Sequence, residues 1–149
     1  MKKTLKFALL CTLLLPLPSQ AKPPAAPSAK EQIDACVQSR EQAQSCKDPF
    51  IDAMIELRAR HQPAIADAIK TPDGKRQVRE TGLRELAADG GGPLAERRKK
   101  CEAAVAHMTM PRPDLDALKS CYAKPDCATK VACIMPILEK NMFPAAAAK

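Results

Sequence analysis

The stretch SCYAKPDCATKVAC, Ser120 to Cys133, carries Cys121, Cys127 and Cys133 with five residues between each consecutive pair. Structural zinc sites draw on Cys or His pairs two to four residues apart, so these gaps are too wide. The chain has no C-x-x-C, so the resolving cysteine of thioredoxin-like chemistry is missing, as is the C-x-x-C-H of haem attachment. What remains is three disulfide halves. On one helix Cys127 and Cys133 would stand about 9 Å apart along the axis, beyond the roughly 7 Å between Cα atoms that a disulfide tolerates. Each must reach another helix.

A disulfide framework requires an oxidising compartment. The chain opens MKKTLKFALLCTLLLPLPSQA: Lys2, Lys3 and Lys6, then an apolar run from Phe7 to Leu15, then Ser19-Gln20-Ala21. That is the layout of a secretory signal peptide cut after Ala21. The apolar run is too short to span a bilayer, so no transmembrane anchor is expected after processing. Leu10 is too large for a lipoprotein site at Cys11, which leaves with the leader. Of seven cysteines, six then remain: Cys36, Cys46, Cys101, Cys121, Cys127 and Cys133. Losing three lysines leaves 21 basic residues against 17 acidic, a net charge near +4. That balance gives no case for nucleic acid. The short, lysine-rich leader points to a bacterial periplasm, or to secretion.

Residues 22–28 form a Pro/Ala linker and 144–149 a disordered tail, which leaves 29–143 as one domain. Aromatics make up 3% of the chain and Trp is absent. A core of Ala, Leu, Ile and Met has little bulk to bury, and cross-links would offset that weakness.

The local pattern is helical throughout. Ser28-Ala29-Lys30-Glu31 is a capping box opening a helix that stops near Cys46. Asp48 as N-cap and Pro49 in the first turn start a second, which Pro63 kinks or ends. A short piece, Ala64 to Lys70, follows. Thr71-Pro72 starts a charged helix over Asp73–Ala88, which Gly74 and Gly82 weaken and Gly90-Gly91-Gly92 ends. Pro93–Thr109 is the next, broken by Pro111 and Pro113. Leu115, Leu118 and Cys121 or Tyr122 mark a short helix, Lys124-Pro125-Asp126 a turn, and Cys127–Asn141 the last helix. Nothing alternates with period two for long enough to be a strand. The fold class is a small all-α bundle of five or six short helices stapled by three disulfides.

Six cysteines allow 15 connectivities. Cys101 and Cys121 each lie ten residues from Pro111, so an antiparallel hairpin centred there would pair them. Antiparallel packing then suits Cys36–Cys133 and Cys46–Cys127. The nine residues between Cys36 and Cys46 resemble one half of a coiled-coil–helix–coiled-coil–helix motif. The other candidate half, Cys121 to Cys133, has eleven between and a proline turn. The resemblance covers one spacing and implies no function.

Candidate chemistry is sparse. His61 sits among Arg58, Arg60 and Gln62, a solvated context. The stretch HMTM, His107 to Met110, sets imidazole beside the thioethers of Met108 and Met110, soft ligands suited to Cu(I), and a copper site there would bring Met135 and Met142 nearby. The plainer reading makes Met108 part of a helix stripe and Met110 a gap filler. Arg97-Arg98-Lys99-Lys100, with Lys75, Arg76, Arg79 and Arg84, is either a solvated helix side among Glu80, Glu85, Glu96 and Glu102 or a docking patch for an acidic partner. No nucleophile–base pair or nucleophile elbow is present. The expectation is a non-enzymatic protein without cofactor that binds a protein partner in the cell envelope, as an accessory, inhibitor or immunity-type factor. The alternatives are a holdase-like chaperone and a copper carrier using His107, Met108 and Met110.

Overall fold

The computed structural model describes residues 25–144. The expected leader, the first three residues of the linker and the last five residues of the tail lie outside that range. Seven helices and no strand occur among the described residues. The first, α1 (Ala29–Ser45), opens on the capping box. The Ser28 amide donates to Glu31 Oε2 at 2.8 Å and the Glu31 amide to Ser28 Oγ at 3.3 Å.

Next, α2 (Lys47–His61) follows with a break only at Cys46. Asp48 is not its N-cap: the helix begins one residue earlier, and the Asp48 carboxylate turns to Arg79 at 2.5 Å. Gln62 is extended, as the residue before a proline must be, and α3 (Pro63–Ala68) starts afresh with Pro63 in its first turn. This six-residue piece is the short one expected after Pro63, and it brings the helices among the described residues to seven. Thr71 caps α4 (Pro72–Gly90) by accepting from the Gly74 amide at 3.1 Å. Gly92, at φ 87°, occupies a conformation that favours glycine and lets the chain turn into α5 (Leu94–Val105).

The chain then runs without helix to α6 (Arg112–Tyr122). Asp126 caps α7 (Cys127–Met142), accepting from the Thr129 amide at 2.9 Å. Pro136 lies inside α7 on an exposed position.

Three disulfides cross-link the bundle: Cys36–Cys101, Cys46–Cys127 and Cys121–Cys133. Cys46–Cys127 is as expected; Cys101–Cys121 and Cys36–Cys133 are not formed. The reason lies in the connections. Six residues separate α5 from α6, and Pro111 carries the chain away in extended form. The helices therefore do not fold back on each other: α5 packs on α1, which brings Cys101 to Cys36, and α6 packs on α7. The tight hairpin is the four-residue turn Ala123–Asp126 between α6 and α7, and Cys121 and Cys133 bridge it.

The core gathers Leu57 from α2, Leu118, Cys121 and Tyr122 from α6, and Val131, Ile134 and Met135 from α7 around Cys46. Tyr122 is its one aromatic member. Burial pushes its phenol up to about 12, and its hydroxyl is hydrogen-bonded to Ser39 Oγ of α1. Polar clamps close the periphery. Arg112 grips Glu31 with two parallel bonds of 2.8 and 3.0 Å, a geometry that favours the ionised carboxylate. With the Ser28 bonds, this holds Glu31 well below the usual range, at about 2.

A depressed folded-state value stabilises the fold above the ordinary value of 4.5, and that contribution is lost as pH falls towards 2. Glu31→Gln is therefore expected to melt below the wild type at pH 7 and to converge with it between about pH 4.5 and pH 2. Thermal melts across that range check this; a gap independent of pH would contradict it.

Candidate functional site

The sequence singles out three places, and the structure treats them differently. The basic run is largely consumed inside the molecule. Arg97 reaches Glu41 at 3.1 Å, Arg98 reaches Asp34 at 2.9 Å, and Lys100 donates to the Ala88 carbonyl at 2.5 Å. These ties bind α5 to α1 and α4. Lys99 alone of the four has no hydrogen bond or ion pair among the described residues. Of the α4 cations, Arg76 pairs with Asp73 of its own helix at 3.0 Å and Arg79 with Asp48 and Asp52 of α2, while Lys75 and Arg84 have no ion pair among the described residues. Half of what the sequence offers as a positive face, Arg79, Arg97, Arg98 and Lys100, is thus a set of inter-helix clasps. Their partners lie 12 to 64 residues away, which local charge patterning cannot reveal.

His61 likewise has partners. Its ring stacks on Phe143 with centroids 4.2 Å apart, and Nε2 lies 2.7 Å from Glu139 Oε1. Arg60 donates to the same carboxylate at 3.0 and 3.3 Å. Those bonds, Arg60 first and His61 second, hold the Glu139 carboxyl below its usual range. The group joins the end of α2 to the end of α7. It is a surface clasp rather than a free histidine.

The HMTM stretch lies outside the helix the sequence suggested. α5 ends at Val105, and residues 108–110 have no regular structure. Two forces end it early. Pro111 biases Met110 to extended backbone, and Gln32 of α1, buried, takes over the Met110 backbone. Its Nε2 donates to the Met110 carbonyl at 2.7 Å, and its Oε1 accepts from the Met110 amide at 3.1 Å. Met108 therefore belongs to no buried stripe: it is 62% exposed. Met108 and Met110 border a cavity of about 240 Å³ between α1, α6 and α7, together with Met142. His107 is exposed and does not border it. Met135 lies in the core instead. Among the described residues no three His, Cys, Asp or Glu side chains cluster as metal ligands.

A further hollow was not singled out from sequence. It is a groove of about 460 Å³ between α2 and α4. Phe50, Ile51, Met54 and Ile55 of α2 and Val78 and Leu86 of α4 supply its apolar lining, and Ile65 of α3 joins them. Gly82 lets the helices approach: a Cβ there would meet Ile51 Cδ1 at 3.4 Å, tighter than most such contacts. Arg58, Gln77, Glu85 and Asp89 add polar groups, with Arg58 and Glu85 a loose 3.5 Å apart. Along α4 only Gly90 is buried, so the helix offers most of its surface to solvent. The signal was present as the apolar stripe of α2. That α4 leaves this stripe only partly covered is a tertiary fact, set by the Arg79 clasp at one end and by Gln44 Nε2 donating to the Leu86 carbonyl at 2.5 Å near the other.

No helix among the described residues is long and apolar enough to cross a membrane. No protein-family model matches the chain, and no curated protein or solved structure resembles it significantly.

Proposed function

We propose that this chain is an exported, non-enzymatic helical protein that binds a partner polypeptide in the cell envelope, as an accessory, inhibitor or immunity-type factor. The partner seats apolar side chains in the α2–α4 groove. The observation that carries this reading is the groove itself: an apolar floor of Phe50, Ile51, Met54 and Ile55 with a polar and charged margin. That is the anatomy of a protein-binding surface, where desolvated apolar anchors supply affinity and rim charges supply orientation. Three disulfides support the envelope as its place of work, since such frameworks persist in oxidising compartments. They also fix the scaffold before binding, which lowers the ordering cost of association.

A photo-crosslinking residue at Gln77, in the groove, is expected to give a discrete adduct in intact cells. The same residue at Glu102, exposed on α5, should give none, and Val78→Arg should abolish the Gln77 adduct. Equal, diffuse labelling from both positions, or no adduct at either, would remove the proposal.

A further inference from the structure

Six methionines occur in the chain, and three of them border one cavity. Met108 and Met110 come from the connection between α5 and α6, and Met142 from the last residue of α7. All three border the same cavity of about 240 Å³. Methionine used as filler is buried against apolar neighbours, as Met135 is at 9% exposure. Met108 at 62% and Met142 at 39% are instead two of the three large apolar residues left exposed in the described protein. Packing does not account for them.

The frame around these thioethers is fixed on both sides. Gln32 holds the Met110 backbone through its amide and carbonyl. Beneath, Cys36 borders the cavity and is bonded to Cys101, which is fully buried. On the α7 side, the buried Asp114 accepts from Lys140 at 2.8 Å and from Asn141 at 3.1 Å, immediately before Met142. Flexible thioethers thus project from anchored backbone. Arg40 also borders the cavity, but its guanidinium turns away to donate to the Asp89 carbonyl at 2.6 Å.

We infer that Met108, Met110 and Met142 form a binding site for a soft monovalent metal ion of the Cu(I) class. Uncharged thioethers select soft d¹⁰ ions over the harder divalent metals, and the exposed Met108 and Met142 beside the partly buried Met110 let such an ion enter without unfolding anything. His107 is not a ligand, because it stands outside the cavity the three methionines share. The site is separate from the α2–α4 groove, so it stands or falls independently of the partner-binding proposal.

Silver(I), an air-stable ion with the same preference for thioethers, tests this directly. It is titrated into the mature, oxidised protein carrying ¹³C-methyl methionine. The methyl signals of Met108, Met110 and Met142 should shift together and saturate, while those of Met54 and Met135 stay in place. The Met108→Leu/Met110→Leu/Met142→Leu variant keeps apolar bulk and should lose saturable binding; His107→Ala should keep it. The wild type and His107→Ala, but not the leucine variant, should then compete with a chromophoric chelator for Cu(I). If the triple variant fails to fold, Met108→Leu and Met142→Leu singly, both at exposed positions, must each weaken binding. No saturable shift, equal shifts at all five methionines, or undiminished binding by the leucine variants would overturn the assignment.

Discussion

Removing the Cys46–Cys127 disulfide, as Cys46→Ala/Cys127→Ala, is expected to lower the unfolding free energy by about 4 kcal/mol. This bond joins residues 81 apart in the chain, while Cys121–Cys133 spans 12. Closing a longer loop removes more freedom from the unfolded chain. The short cross-link is therefore expected to be worth about 3 kcal/mol by the same reasoning. Cys36–Cys101 overlaps the loop that Cys46–Cys127 closes, so deleting both will not be additive. Cys46 is also a core residue at 4% exposure, and its loss disturbs packing around Leu57 and Tyr122. A domain of this kind has about 5–15 kcal/mol in total, so the variant should sit near the edge of folding. Denaturant melts of the oxidised proteins check this. A loss below about 1 kcal/mol would mean that the cross-link constrains little.

Leu57→Ala is expected to cost about 3–5 kcal/mol. Leu57 has no exposed surface, and it lies where α2 meets α6 and α7. Truncation loses the transfer free energy of the buried methyls and leaves a cavity. Neighbours fixed by disulfides, Cys46 and Cys121, cannot collapse to fill it. The same change at Leu94, 55% exposed at the start of α5, should stay within about 0.5 kcal/mol. Urea melts of the two variants side by side decide the matter. Comparable losses would show that the core is not where the packing places it.

The helices were legible in the sequence because their signals are local. Ser28 with Glu31, Thr71 before Pro72, and Asp126 before Cys127 each mark a start that the structure keeps. Pairing was not legible, because a disulfide reports which helices touch. The proline at 111 looked like the centre of a hairpin, yet the shorter connection, Ala123–Asp126, makes the hairpin. Loop length was the available signal, since close antiparallel neighbours favour short turns.

The methionine cluster was half visible. Met108 and Met110 stand out as a sequence pair, but Met142 joins them only because Asp114 ties the ends of α6 and α7 together. The groove escaped notice for a similar reason. Its walls, Phe50–Ile55 and Val78–Leu86, are separate stretches, and only the packing of the helices shows that α4 leaves the α2 residues partly open. The basic run shows the converse. Its charge is real, but Glu41, Asp34 and the Ala88 carbonyl take most of it up.

The scaffold on which both proposed sites depend is held by its cross-links, and a non-reducing peptide map of protein purified from its native source reads them directly. Trypsin leaves Cys36 in Glu31–Arg40, Cys46 in Glu41–Lys47, Cys101 in Cys101–Lys119, Cys121 with Cys127 in Ser120–Lys130, and Cys133 in Val131–Lys140. The structure requires two separate units: Glu31–Arg40 bonded to Cys101–Lys119, and a second of the other three peptides. A further cut before Asp126 must divide that second unit, leaving Cys46 with Cys127 and Cys121 with Cys133. Cys101–Lys119 bonded to Ser120–Lys130 instead of to Glu31–Arg40, as Cys101–Cys121 would produce, or peptides released with free thiols, would contradict the fold and the compartment together.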